Sequence, residues 1–236
     1  MSKIESRYQQ IRQKVDELTD FPDAEQAKSR ALFDLIDLKN GVVRPRRFDV
    51  WTCLAGLPLP HELTQSFQEI ARQVENLLPP QVIFYQVIPA NYHWEVFIIK
   101  RPTEQIYLEN LTKAVDILRE IFSKESPLHI AYRGFLVTPD GTLLVQGTGE
   151  FDRLRQKLRE AIPFASSKQS QLGHISLGRI LDPLGEEKFC QLKQMVRDSQ
   201  NEVYGEWAIT EVKYIYERQW YMEDKEVIAN LPLNCG

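Results

Sequence analysis

Two short apolar runs constrain this chain more than any other feature. His93-Trp94-Glu95-Val96 and His174-Ile175-Ser176-Leu177 each set a histidine and a second polar residue two places apart among strand-forming neighbours. On a strand, residues i and i+2 point to one face. His93 then shares a face with Glu95, and His174 with Ser176. The runs lie 81 residues apart, from position 93 to position 174, a spacing that suits a structural half. Two such strands predict two matching halves with one site between them.

The order of elements agrees with that division. Residues 48–57 are rich in strand formers and end at Pro58-Leu59-Pro60. Residues 61–78 place Leu63, Phe67, Ile70, Val74 and Leu77 on one helical face. Strands follow at 82–88 and 92–100 around Pro89-Ala90-Asn91, then an amphipathic helix over 103–122. The pattern repeats with strands at 128–137 and 142–146 around the Pro139-Asp140-Gly141 turn. A helix over 149–162, a strand over 172–181 and a helix over 184–198 complete the second half. Residues 202–216 and 219–231 read as a closing pair of strands. The expected fold is α+β: two pseudo-symmetric lobes, each an antiparallel sheet with helices packed outside, around a central cleft. Residues 46–236 form that two-lobed domain. Residues 1–45 are a helical extension, with two helices broken at Phe21-Pro22-Asp23 and stopped at Asn40-Gly41.

Bulk properties exclude several classes. The net charge is −4, whereas tight binding to long nucleic acid draws on a basic surface. Arg44, Arg46 and Arg47, like Lys100 and Arg101, read as solvated charge. Cys53, Cys190 and Cys235 are odd in number and widely spaced, so they form neither a disulfide framework nor a paired metal motif. A reducing cytoplasm fits them. The first twenty residues are polar and helical, unlike a signal sequence. No apolar run approaches the ~20 residues of a membrane span. The expectation is an unanchored cytoplasmic monomer.

At His174-Ile175-Ser176-Leu177-Gly178-Arg179 the chain resembles the two-histidine phosphoesterase superfamily. That group includes RNA 2′,3′-cyclic phosphodiesterases and bacterial 2′-5′ RNA ligase-like proteins. Its signature, His-x-Thr/Ser-x, occurs twice, each time within an apolar strand. Trp51–Pro60 resembles the opening strand and helix start, and Arg133-Gly134-Phe135 the strand before the second hairpin. The likeness covers about residues 48–233 and leaves the helical extension outside. It implies metal-independent phosphodiester chemistry on an RNA end or cyclic nucleotide, with no cofactor. His93 and His174 would act as general base and general acid, a role suited to a group that titrates near neutrality. Ser176 would hold a phosphate oxygen. Arg179 matches a basic residue after the motif; on a regular strand it alternates away from Ser176, so a carboxylate is its other partner. Tyr132 is a candidate to stack a base.

The first motif departs from the signature, because Glu95 stands where a hydroxyl is expected. An ionised carboxylate only accepts hydrogen bonds and repels an anion. A protonated one donates. The alternative reading is therefore a catalytically weak relative that binds a nucleotide or phosphate. A third set, His93, Glu95 and His174, has the chemistry of a two-histidine, one-carboxylate metal site. The absence of Pro-Cys-x-x-Cys argues against a zinc deaminase. His61, at a helix start, reads as a surface residue, and His129 as structural.

Overall fold

In the computed structural model, which describes residues 3–234, the strand-forming runs become nine strands. They are β1 (Arg47–Gly56), β2 (Phe84–Gln86), β3 (His93–Lys100), β4 (Leu128–Val137), β5 (Thr142–Thr148), β6 (Ile175–Ile180), β7 (Val203–Ile209), β8 (Glu211–Gln219) and β9 (Asp224–Pro232). All pairings are antiparallel, in the order β7-β4-β5-β6-β3-β1-β8-β9, and β2 lies against β6. Two four-stranded halves meet where β3 and β6 touch through one backbone pair, Trp94 with Ile175. This is the α+β arrangement expected, with the two motif strands side by side at the centre.

The helices exchange halves. α4 (His61–Leu77) leaves β1 yet packs on β6, β7 and α7 (Glu186–Asp198). α6 (Asp152–Ala161) leaves β5 yet packs on β3 and on α5 (Leu108–Phe122), which covers β9. Each half therefore buries its sheet partly under a helix from the other. The apolar stripe of α4, with Leu63, Phe67, Ile70, Ala71 and Val74 buried, makes this a hydrophobic seam.

Three elements differ from the sequence expectations. β2 pairs with β6 and not with its neighbour β3. The closing pair of strands is three: β7 pairs with β4 in one half, and after Thr210 the chain crosses to pair β8 with β1 and β9 in the other. Alternation continues through that crossing, so no pattern in the sequence marks it. His174 lies just before β6.

The first 45 residues contribute α1 (Lys3–Asp16), α2 (Asp23–Arg30) and α3 (Leu35–Lys39). The second helix expected there is split by Phe33, which is fully buried and packs its ring on Tyr85 and Tyr221. Ile4, Tyr8 and Val15 of α1 are buried on β4 and β5. The Asp20 carboxylate accepts from the backbone N–H groups of Leu184 and Gly185 at the start of α7, at 2.9 and 2.7 Å. That is the favourable placement of negative charge at a helix N-terminus. Cys53 is buried, Cys190 exposed and both are free; Cys235 lies outside the described residues.

Candidate active site

The seam sets the geometry. Trp94 and Ile175 are fully buried on the side covered by α6. Continuing their antiparallel register by one residue each way places His93 across from Ser176 and Glu95 across from His174. All four are partly exposed, on the opposite face. Cross-strand neighbours hold their Cβ atoms about 4.5–5.5 Å apart. The two histidines thus sit diagonally in one cluster, each facing the other motif's polar residue.

His93 has a defined tautomer. Its Nδ1 lies 2.8 Å from the Asn91 carbonyl oxygen and donates to it, leaving Nε2 free for a ligand. Lys225 Nζ donates to Asn91 Oδ1 at 2.8 Å. Burial lowers the His93 pKa, the Asn91 carbonyl opposes that, and the Lys225 charge adds to the lowering.

His174 is set differently. Its Nδ1 is enclosed and has no protein partner. Burial, then the charges of His93 and Arg155, push its pKa down to about 4. Ser176 makes no side-chain hydrogen bond among the described residues and is available to a ligand. Beside His174, burial raises the Glu95 pKa against the charges of Arg101 and Arg155 and a hydrogen bond from Thr52 Oγ1 at 3.4 Å. Burial thus favours the acid form that can donate. A second carboxyl, Glu217, is buried nearby and raised to about 8, mainly by desolvation; its Oε1 accepts from Met222 N at 2.9 Å.

Arg179 and Tyr132 are placed outside this cluster. A bulge at Leu177 interrupts the β5–β6 pairing, so Arg179 opposite Thr142 shares the face of Ser176 opposite Leu144. Its donors are engaged: Nη1 with Asp140 at 2.8 Å and Ser29 at 2.7 Å, and Nε with Tyr221 Oη at 2.8 Å. Tyr132 is fully buried, and its ring packs edge-on against Phe67 of α4, on the helix side. Of the basic clusters, Arg44, Arg47 and Lys100 pair with Asp37, Asp224 and Asp49. Among the described residues no three His, Cys, Asp or Glu side chains form an ion-binding group, so the set His93, Glu95 and His174 gains no support as a metal site. No helix among the described residues is long and apolar enough to cross a membrane.

Four residues of the site neighbourhood escape sequence reasoning. Arg155 clips the seam from α6, donating to the Glu95 and Val96 carbonyls at 3.0 Å and to Leu172 O at 2.8 Å, with its guanidinium over Trp94 and Phe151. Tyr8 of α1 wedges between β5 and the segment entering His174. Its hydroxyl donates to Gly147 O at 3.1 Å and accepts from Gly147 N and Gly173 N, each at 3.2 Å. Gln146 and Lys225 complete the set. The available signal was a polar residue at an apolar position: Arg155 lies four after Phe151 on the stripe of α6, and Gln146 ends the run Leu143-Leu144-Val145.

No protein-family model and no curated protein matches this sequence. Solved structures do match in fold. TT0787 of Thermus thermophilus aligns with a TM-score of 0.58 at 16% identity, covering 79% of this chain and 98% of that one. A structure described as a phosphoesterase aligns at 0.54 and 13% identity, covering 79% and 99%. Escherichia coli LigT complexed with NADP+ aligns at 0.51 and 13% identity, covering 79% and 98%. The chain therefore shares the α+β fold of these structures.

Proposed function

We propose that the chain is a metal-independent phosphodiesterase that opens a 2′,3′-cyclic phosphate on an RNA end or nucleotide. His93 and His174 form the acid–base pair. The observation that carries this reading is the placement of both histidines and Ser176 on one accessible face across a seam of two halves. LigT in its complexes with NADP+ and ATP has the same fold, which supports a small nucleotide as ligand.

The chemistry follows from the cluster. A water oxygen bonds to phosphorus while one imidazole takes its proton. The bond from phosphorus to one ribose oxygen breaks, and the other histidine, as imidazolium, protonates that oxygen. Burial favours the neutral form of both rings, and a phosphate's negative charge would restore a proton to one of them. The side from which water enters decides which ring is base. Ser176 donates to a non-bridging oxygen. Protonated Glu95 donates to another, in the place of a hydroxyl.

A second reading, a nucleotide-binding relative without turnover, rests on Glu95 as a carboxylate opposing the phosphate. Hydrolysis of a panel of 2′,3′-cyclic nucleotides and cyclic-phosphate RNA ends, with EDTA present, separates the two. Turnover that disappears in both His93→Ala and His174→Ala supports the enzyme. Wild type that binds nucleotides without hydrolysing any of them supports the binding relative.

A further inference from the structure

The face that bears His93 and Glu95 continues across β1 to β8 and β9. Glu95 stands opposite Leu54, and Leu54 opposite Lys213, so the three share one row on three strands. Ile215 and Glu217 follow Lys213 along β8 on the same face, and Lys225 of β9 stands opposite Glu217. Lys213 Nζ donates to Leu57 O at 2.7 Å, one residue beyond Gly56, which is the cross-strand partner of His93. Lys225 Nζ donates to Asn91 Oδ1 and to Met222 O, each at 2.8 Å. Asn91 is the residue whose carbonyl fixes the His93 ring. Both ammoniums are thus tied to segments that flank His93.

Their charge is not balanced within the fold. Both lysines are half-buried, both donate to neutral oxygens, and neither forms an ion pair among the described residues. The carboxylates around Lys225 are engaged elsewhere. Asp224 pairs with Arg47 and Arg218, Glu226 with Arg218, and Glu223 accepts from Tyr85 Oη at 2.6 Å. Glu217 is buried, and a pKa of about 8 keeps it protonated at neutral pH. Burial lowers the Lys225 pKa, with Glu217 and Asp224 opposing that and Lys213 adding to it. An ammonium has three N–H groups, so each lysine keeps at least one for a ligand. A half-buried cation without a counter-charge is unfavourable, and a bound anion relieves it.

The backbone is strained where it places Lys225. Tyr221 and Met222 have φ of 61° and 60°, left-handed values that residues other than glycine rarely adopt. They turn the tip of the β8–β9 hairpin back over the sheet, and Met222 packs on Leu54, Leu57 and Ile215, on the face of Glu95. Glu217 holds Met222 N, Lys225 holds Met222 O and Arg179 holds Tyr221 Oη. Strain over-determined in this way gathers at functional sites. We propose that Lys225, with Lys213 beside it, binds the reacting phosphate as a cationic donor next to the neutral donors Ser176 and Glu95. This rests on the phosphodiesterase reading of the histidine cluster. A cyclic phosphodiester carries one negative charge, whereas the phosphomonoester left by ring opening carries nearly two. The lysines therefore favour the monoester, and the site holds its product more tightly than its substrate.

Calorimetric binding at neutral pH tests it with two probes, a nucleoside 2′-monophosphate and the 2′-methyl phosphodiester of the same nucleoside. Wild type should bind the monoester at least about tenfold more tightly. Lys225→Gln should bring that ratio to near one, and Lys225→Arg should keep most of it. Lys213→Gln, which leaves the Met222 turn untouched, should lower the ratio by a smaller factor and serves if Lys225→Gln does not fold. A lysine that only braced the turn would weaken both probes alike and leave the ratio unchanged. No preference for the monoester in wild type, a ratio unchanged in the folded variants, or binding of neither probe overturns the proposal. Hydrolysis of the cyclic substrates judges the histidine reading separately, so turnover with an unchanged ratio leaves that reading standing.

Discussion

The two motif strands share one backbone arrangement and differ in what holds each histidine. His93 begins β3 with its Nδ1 bound to a carbonyl that Lys225 helps to fix. His174 stands just outside β6 with its Nδ1 unpartnered, and the segment leading to it is held by Tyr8 and Arg155. Beside them, one motif supplies a hydroxyl and the other a carboxyl. The pseudo-symmetry of the fold positions two imidazoles; it does not make them equivalent. In the proposed reaction, the asymmetry that would let the pair divide acid and base duties lies in the surroundings and not in the strands.

The largest effect should come from removing either ring. His93→Ala and His174→Ala should each lower kcat/KM on cyclic-phosphate substrates by about 10²–10⁴-fold, the usual contribution of a general acid or base. A variant that keeps wild-type rates would remove its histidine from the chemistry and break the comparison.

Glu217 lies on β8, in the half that carries β3. Its native pKa of about 8 lies above the usual carboxylate value because it is buried. Between pH 4.5 and about 8 the unfolded chain loses this proton while the native chain keeps it, so native stability falls across that window and levels off above it. Glu217→Gln retains an acceptor for Met222 N and removes the ionisation. At pH 9 it should be more stable than wild type by on the order of 5 kcal/mol, and at pH 4 equal to it. Denaturant melts at the two pH values check this; a pH-independent difference would mean that packing and not titration sets the effect.

Much of this arrangement was legible in the sequence. The motif pair, α4 and the β4–β5 hairpin follow from local periodicity and turn residues. The features that build the site are long-range. No local pattern sets Trp94 opposite Ile175, places a bulge at Leu177, or sends β7 and β8 to different halves at Thr210. Arg179 shows the limit well: strict alternation turns it away from Ser176, and one extra residue in the ladder turns it back, into the grip of Asp140. Tyr8 shares the buried side of α1 with Ile4 and Val15, and its partners are more than a hundred positions away.

Tyr8 sharpens the comparison from the His174 side. Its hydroxyl uses its donor and both lone pairs on Gly147 and Gly173. Tyr8→Phe should cost about 1–3 kcal/mol of stability, because two backbone N–H groups lose a buried acceptor. Denaturant unfolding measures the loss. Turnover should fall as well, with KM for a cyclic mononucleotide nearly unchanged, since Gly173 precedes His174 and not a substrate contact. A loss of stability with no change in kcat would make the wedge structural only.

Glu95→Thr tests the difference between the motifs most directly, because it makes the two alike. Threonine donates at every pH, whereas Glu95 donates only while protonated. Below the raised native pKa of Glu95 the variant and wild type should turn over cyclic phosphates at similar rates. Above it, ionised Glu95 faces the phosphate with like charge, and the variant should gain about tenfold in kcat/KM, equivalent to ~1.4 kcal/mol of transition-state stabilisation. The pH profile of the ratio is the measurement that matters. A ratio rising with pH assigns Glu95 a protonation-gated hydrogen bond in place of a hydroxyl. A variant slower than wild type at every pH would instead make the carboxyl an active partner of His174, and the asymmetry between the two motifs would then be the means of catalysis and not a departure from it.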